Sequence, residues 1–281
     1  MVTFPNAKIN LGLYVERKRS DGYHDISTVM LPVEWCDILE IVPANKRDTD
    51  VRLFTSGNRI DCPPEKNIVI KAVRALENIT GTTFNIDIYL RKIIPDGAGL
   101  GGGSSDASFT LRLINEIFEL NLNLDELMMI ASKIGADCAF FIKNEPMLAQ
   151  GIGEILTPVK PDLEGYSIII VKPEAYISTA QAYAGIVPRT PELSLKEAVR
   201  TDINDWKYCI FNVFEEVAFN LFPELEEIKS ELYKQGALYA SMSGSGSAFY
   251  GIFKPDYDNL TAVSSYFSDK GYQTFVGKMK F

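Results

Sequence analysis

Pro95-Asp96-Gly97-Ala98-Gly99-Leu100-Gly101-Gly102-Gly103-Ser104-Ser105-Asp106-Ala107 is the stretch on which the reading of this chain turns. Five of the seven residues from 97 to 103 are glycine. The run lies between Phe84–Leu90, which alternates as a strand, and Asp106–Phe118, where Ala107, Leu111, Ile114 and Phe118 recur at helical spacing. Glycines let the backbone approach a ligand and adopt positive φ, so that successive N–H groups turn inward. The helix that follows adds its free N–H groups and the positive end of its dipole. Ser104 and Ser105 can donate to a phosphate or ligate a magnesium ion. The segment predicts an anion cradle. No Gly-Lys-Ser/Thr closes it, so it is not a Walker A loop, and it lacks the strand and ribose-binding acid of a dinucleotide fingerprint. A flexible surface loop is the plain alternative, set against it by the glycine density just ahead of a well-patterned helix.

Working outward, Ala7, Ile9, Leu11, Leu13 and Val15 alternate with Lys8, Asn10, Gly12 and Tyr14, which predicts a strand with one apolar and one polar face. A polar turn follows at residues 18–24, then strands around 28–33 and 37–42. Asn67 stands where it would cap a helix running to Glu77, and Asn123 with Glu126 forms a capping-box pattern for a helix ending near Lys133. In the second half, Tyr166–Val171 is an apolar strand and Thr179–Ala184 a helical turn. Asp205–Leu221, Pro223–Gln235 and 259–268 are expected as helices. Leu238–Ser241 and Ala248–Phe253 flank a second Gly/Ser loop, and 273–278 is a last strand. A length of 281 residues allows one large domain or two modest ones. Pro158 and Pro161 suggest a division into 1–157 and 158–281, both of mixed α+β character.

Net charge is −9 without a Lys/Arg cluster, which argues against nucleic acid as a partner. No apolar run approaches the length of a membrane span. Cys36, Cys62, Cys138 and Cys209 are far apart, which suits free thiols in a reducing compartment rather than disulfides or zinc. With no signal-peptide pattern at the N-terminus, the expected location is cytoplasmic.

Three further positions draw chemical interest. Lys8 and Asn10 project from the same strand face roughly 7 Å apart; a lysine there is most simply a solvated charge. Asp137, in Gly135-Ala136-Asp137-Cys138-Ala139-Phe140-Phe141-Ile142, is expected to open a hydrophobic strand. It is either a turn aspartate held by backbone N–H groups or a base that accepts a proton from an attacking hydroxyl. A nearby lysine would keep such a carboxylate ionised. Tyr23 and the chain's single histidine, His24, sit side by side in Asp21-Gly22-Tyr23-His24, where they suit either a surface turn or stacking on a planar ring.

Separated segments then agree on one family. The glycine loop, together with Ser241-Met242-Ser243-Gly244-Ser245-Gly246-Ser247-Ala248, resembles the two glycine motifs of the GHMP kinases. Pro5-Asn6-Ala7-Lys8-Ile9-Asn10-Leu11-Gly12-Leu13, Asp21–His24, Gly135–Asp137 and Gly151-Ile152-Gly153-Glu154 are similar to the branch that acts on 4-diphosphocytidyl-2-C-methyl-D-erythritol in the non-mevalonate isoprenoid route. The resemblance spans essentially the whole chain. It implies an α+β, two-domain GHMP kinase fold: a ribosomal-protein-like N-terminal domain, a ferredoxin-like C-terminal domain, and a site in the cleft between them. It implies ATP and Mg2+ as cofactors and a small-molecule substrate phosphorylated on its 2-hydroxyl; no metal-ligating residue is assigned, and whether magnesium is held by protein or only by ATP stays open. Pro95, Asp96, Gly97, Ala98, Gly99, Leu100, Gly101, Gly102, Gly103, Ser104 and Ser105 would hold ATP. Asp137 would be the general base and Lys8 its electrostatic partner. Asn10, Tyr23, His24 and Tyr183 would contact the substrate, the last three around the cytosine. Asp96 departs from the family pattern and would repel phosphate unless it turns outward; Cys138-Ala139 stands where Val-Pro is frequent. A kinase of the same family acting on homoserine, mevalonate or a sugar is the nearest alternative, and a non-catalytic nucleotide-binding protein the next. A purely structural module would leave the glycine loop unexplained.

Overall fold

The computed structural model describes residues 1–44, 51–60, 62–189 and 191–281. Contacts divide the chain into two units that interleave along the sequence. The first comprises Met1–Ala7, Trp35–Asp96 and Gly101–Glu145; the second comprises Lys8–Glu34, Gly97–Leu100 and Pro146–Phe281.

In the first unit, strands Val2–Thr3, Ile38–Pro43, Ile86–Lys92 and Val51–Gly57 lie side by side in that order. All pair antiparallel except Val51–Gly57 with Ile86–Lys92, a parallel pair whose crossover carries the helix Ile68–Thr80. The Asn67 side chain accepts from the Val69 N–H, and Gly81 ends the helix in the left-handed region. The expected capping box at Asn123 and Glu126 opens the helix Leu124–Ser132. Leu39, Ile41, Val73, Leu76, Ile86, Ile88, Leu111 and Ile114 make the core, so the alternating strand residues and the helical stripes meet as their periods require.

Two expectations are corrected here. The helix after the glycine loop begins at Gly102, not Asp106, and runs to Ile117. Gly101 adopts φ 70° and its carbonyl accepts from the Ser105 N–H at 2.9 Å, so burial of the first turn outweighs the poor helix propensity of two glycines. Residues Cys138–Lys143 form a helix, not a strand. Cys138 through Ile142 are all buried, and a short, wholly apolar run has no period that could separate the two conformations.

The second unit holds two sheets. One has strands Asn6–Lys18, His24–Cys36, Met147–Gly151 and Ile155–Pro158 in that order. The other is fully antiparallel, ordered Tyr239–Met242, Phe249–Phe253, Ser167–Lys172, Gln273–Lys278. With the helices Glu224–Lys234 and Leu260–Ser268 between successive strands, this is the β-α-β-β-α-β ferredoxin-like arrangement. The expected single helix Asp205–Leu221 is broken into a 3₁₀ turn at Ile203–Asp205 and helices Trp206–Cys209 and Phe214–Leu221. In the gap Leu13 pairs with the backbone: its N–H donates to Phe211, and its carbonyl accepts from Val213, each at 3.0 Å. A tertiary ladder has displaced local helix formation.

Candidate active site

In the first unit, the helix Gly102–Ile117 presents its free N-terminal N–H groups at the end of the glycine loop. Ser104 is half-buried, whereas Ser105 is wholly buried and its Oγ has no hydrogen-bond partner. Asp96 is exposed, as its charge demands. Beside this helix lies a cavity of about 210 Å³. Ile60, Ile68 and Leu90 supply apolar wall, and Asn67, Lys92 and Asp106 a polar edge. The Asn67 oxygen is committed to its helix cap.

Lys92 and Asp106 belong to a buried trio with Asp37. The Lys92 ammonium donates to Asp37 and, at 2.7 Å, to Asp106. Burial pushes the Asp106 carboxyl up to about 8; Lys92 opposes this and the Asp37 charge adds to it. Burial pulls Lys92 down, but the two carboxylates outweigh it and leave its pKa raised. A carboxyl raised from 3.8 in this way stabilises the fold fully below 3.8, and that contribution is lost as pH climbs through about 8. Thermal midpoints are therefore expected to fall as the pH is raised toward and past 8, and Asp106→Asn to flatten the slope; a wild-type profile already flat there would contradict the buried protonation.

Asp137 stands half-buried at the start of the helix Cys138–Lys143. The Cys138 N–H donates to Gly135 at 3.1 Å, which closes the turn. The Ser108 hydroxyl lies within hydrogen-bonding distance of the carbonyls of Ser104 (2.8 Å) and Cys138 (2.7 Å). A side chain built at Gly135 would come 3.7 Å from the Ser104 hydroxyl. The Asp137 turn is thus docked on the first turns of the loop's helix.

In the second unit, Lys8 and Asn10 correct the expectation of a solvated strand face: they are 3% and 2% exposed. The Lys8 ammonium donates to the Asn10 side chain and, at 3.0 Å, to the Gly99 carbonyl. The Lys8 N–H donates to Leu100 at 2.9 Å. Asn10 is held from several sides: its N–H donates to Ser243 Oγ (3.2 Å), one hydrogen of its amide NH2 to Thr28 (3.0 Å), and its carbonyl accepts from Tyr250 (2.9 Å). The Ser243 hydroxyl also reaches the Gly99 carbonyl at 2.9 Å. Gly97, Gly99 and Gly101 all have positive φ, while Ala98 and Leu100 between them are buried. At Gly99 a Cβ would lie 2.0 Å from the Ser243 carbonyl oxygen, so only glycine fits. The N-terminal strand, the middle of the glycine loop and the C-terminal Gly/Ser turn are thereby one backbone assembly.

His24 and Tyr183 stack at 5.0 Å between centroids, and Tyr183 meets Phe214 edge-on at 4.9 Å. Tyr23 is 62% exposed, a ring free to cover a planar ligand. A larger cavity of about 920 Å³ elsewhere in this unit, lined by Lys160, Arg200, Trp206 and Lys254 among others, contains none of the predicted site residues. Among the described residues no group of three His, Cys, Asp or Glu side chains gathers as a metal site, and no helix is long and apolar enough to cross a membrane.

Sequence reasoning missed Asn212, which is 3% exposed. Its amide donates to the carbonyls of Met242 and Gly244, each at 2.8 Å, and its oxygen accepts from the Phe214 N–H. It shapes the C-terminal Gly/Ser turn, and nothing local to Phe211-Asn212-Val213 signals that role. The Lys92 trio was missed because its members are scattered along the chain.

Comparison with known proteins bears on the same segments. Residues 67–145 match the model of the GHMP kinases N terminal domain, and residues 194–273 that of the GHMP kinases C terminal region. The chain is 51% identical over 259 residues to a 4-diphosphocytidyl-2-C-methyl-D-erythritol kinase of Bacteroides thetaiotaomicron, covering 91% of this chain and 93% of that relative. A relative of the same description from Bacteroides fragilis is 50% identical over 256 residues, again covering 91% and 93%. A crystal structure of 4-(cytidine 5'-diphospho)-2C-methyl-D-erythritol kinase superposes with a TM-score of 0.82 at 29% identity, covering 99% of this chain and 98% of that one. With both glycine motifs, the buried Lys8–Asn10 pair and the ferredoxin-like sheet in place, the chain belongs to the 4-diphosphocytidyl-2-C-methyl-D-erythritol kinases of the GHMP kinase family.

Proposed function

We propose that this kinase transfers the γ-phosphoryl group of ATP to the 2-hydroxyl of 4-diphosphocytidyl-2-C-methyl-D-erythritol, with Asp137 as general base and Lys8 as its electrostatic partner. The observation that carries the reading is the glycine loop, in which positive-φ glycines alternate with buried anchors ahead of a helix N-terminus. Residues Pro95–Ser105 would hold the phosphates. The adjoining cavity, apolar-walled with a polar edge, suits a purine ring. Asp137 would take the hydroxyl proton as the substrate oxygen bonds to the γ-phosphorus and the bond to the ADP oxygen breaks. Magnesium bound to the ATP phosphates would neutralise their charge. Ser105 Oγ, a buried oxygen without a partner, fits a single ligand or a phosphate donor, in keeping with a metal carried by the nucleotide rather than caged by protein.

Asn10, Tyr23, His24 and Tyr183 are proposed to line the substrate site. The His24–Tyr183 stack supports the last two, because a preformed aromatic platform loses little freedom on taking up a pyrimidine. We further propose 1–157 and 158–281 as the two sequence segments of the family, a cytoplasmic location, and a small-molecule rather than nucleic-acid partner.

The deciding experiment is ADP release with Mg-ATP against the cytidyl-methylerythritol compound, homoserine, mevalonate and galactose. Turnover confined to the first is expected. Turnover with another acceptor instead would discard the pyrimidine pocket, and ATP binding with no turnover on any acceptor would favour a non-catalytic nucleotide-binding protein. Tyr183→Ala is expected to raise the KM for the cytidyl substrate by about tenfold, from loss of one stacking contact, with the KM for ATP held. Tyr183→Phe should stay near wild type. A defect confined to ATP would place the aromatic pair elsewhere in the mechanism.

A further inference from the structure

Lys92 is the last residue of its strand, two residues ahead of Ile94 and three ahead of Pro95, where the glycine loop begins. Its ammonium is 5% exposed and is held by Asp37, which is fully buried, and by Asp106, on the first turns of the helix that follows the loop. The same Asp37 carboxylate accepts from the backbone N–H groups of Ile93 and of Ile94, the latter at 2.9 Å. Asp37 is itself anchored, its N–H donating to Pro5 at 2.8 Å. A Cβ at Gly102, the helix's first residue, would lie 3.0 Å from Ile94 Cγ2 and 3.2 Å from the Lys92 nitrogen, so the helix start rests directly on this group. Chain entering the glycine loop and chain leaving it are therefore tied to a single buried ion cluster.

Such a cluster is a poor device for stability alone. Burying three ionisable groups is expensive, and apolar replacements of equal volume often serve as well or better; the attested use of such a cluster is to fix one arrangement among several. The segment between the tied ends holds five glycines, which give up more freedom on ordering than any other residue. A ligand that had to order an untied loop would bind more weakly for that reason.

We infer that Lys92, Asp37 and Asp106 are positioning residues that staple the two ends of the glycine loop and so preorganise it for the nucleotide phosphates. This rests on the reading of that loop as the ATP site. Lys92 and Asp106 also face the cavity proposed for the purine, but Asp37 is not part of its wall, and this separates a staple from a direct contact.

The test compares Asp37→Asn and Lys92→Met with wild type by amide hydrogen exchange over residues 95–105 without nucleotide, and by calorimetric titration with ATP. Both variants are expected to speed exchange in the loop and to weaken ATP by about tenfold or more, with the larger share of the kinetic defect in the KM for ATP. Should either variant fail to fold, the triple variant Asp37→Asn/Lys92→Met/Asp106→Asn, which leaves no unpaired buried charge, carries the same readouts. A folded Asp37→Asn or triple variant with wild-type loop protection and ATP affinity overturns the staple. Weakening by Lys92→Met alone also overturns it and makes Lys92 a simple nucleotide contact. Faster loop exchange in Asp37→Asn, found alongside a wild type that binds no ATP, would keep the staple and discard the nucleotide reading.

Discussion

Asp137→Asn is expected to lower kcat by 10²- to 10⁴-fold, the span typical of a lost general base. Nucleotide affinity should change by less than about threefold, under ~1 kcal/mol. The substitution is nearly isosteric, and the turn that carries residue 137 is held by other groups: the Cys138 N–H on Gly135 and the Ser108 hydroxyl beside the Cys138 carbonyl. The fold should survive, so the measurement reports chemistry. Single-turnover kinetics at saturating ATP would separate the phosphoryl step from product release. Two results would count against the assignment: a kcat within tenfold of wild type, or a loss of ATP affinity as large as the loss of rate.

Gly99→Ala should cost about 2–4 kcal/mol, combining an L-residue forced into the left-handed region with overpacking. The obstacle is backbone, the Ser243 carbonyl oxygen at 2.0 Å from the new methyl, and it cannot rotate away. The Gly99 carbonyl also accepts from Lys8 and Ser243, so any shift that relieves the clash displaces the lysine proposed as the partner of Asp137. Stability and activity are expected to fall together. Gly81→Ala supplies the control. That glycine has φ 67°, yet nothing lies within 4 Å of its Cβ position, so it should lose only about 1 kcal/mol. Urea midpoints for the two variants isolate the steric part, and equal losses would mean that the loop is not seated on Ser243 as described.

What was legible in the sequence was local chemistry. The glycine loop announced itself because its composition and the helical period after it sit within a few residues of each other. Asn67 and Asn123 were legible for the same reason, since a cap needs only its own side chain and the next turn. Lys8, Asp137, His24 and Tyr183 could be nominated, but not their surroundings. The alternating pattern allowed a wet face for Lys8, whereas its ammonium is buried against Asn10 and against the Gly99 carbonyl, 91 residues further along the chain. Asp137 could be nominated from its motif, but the run after it is a helix where a strand is expected, because that apolar run carries no period. Asn212 and the trio of Lys92, Asp37 and Asp106 were silent, since their partners come from distant segments and each residue alone is an ordinary polar side chain.

The hydroxyl of Tyr250 on the carbonyl of Asn10 has a further implication for biosynthesis. The strand Asn6–Lys18 leaves the ribosome well ahead of its neighbours at Phe211–Val213, Ser243 and Tyr250, which lie far downstream in the sequence. At 5–20 residues per second, roughly 10–50 s separate the two events. Throughout that interval a strand whose residues 6–15 are all destined for burial is without its late-arriving partners. This enzyme's exposure to aggregation should therefore be greatest during translation, and it should depend on chaperone capacity more than its finished stability would suggest.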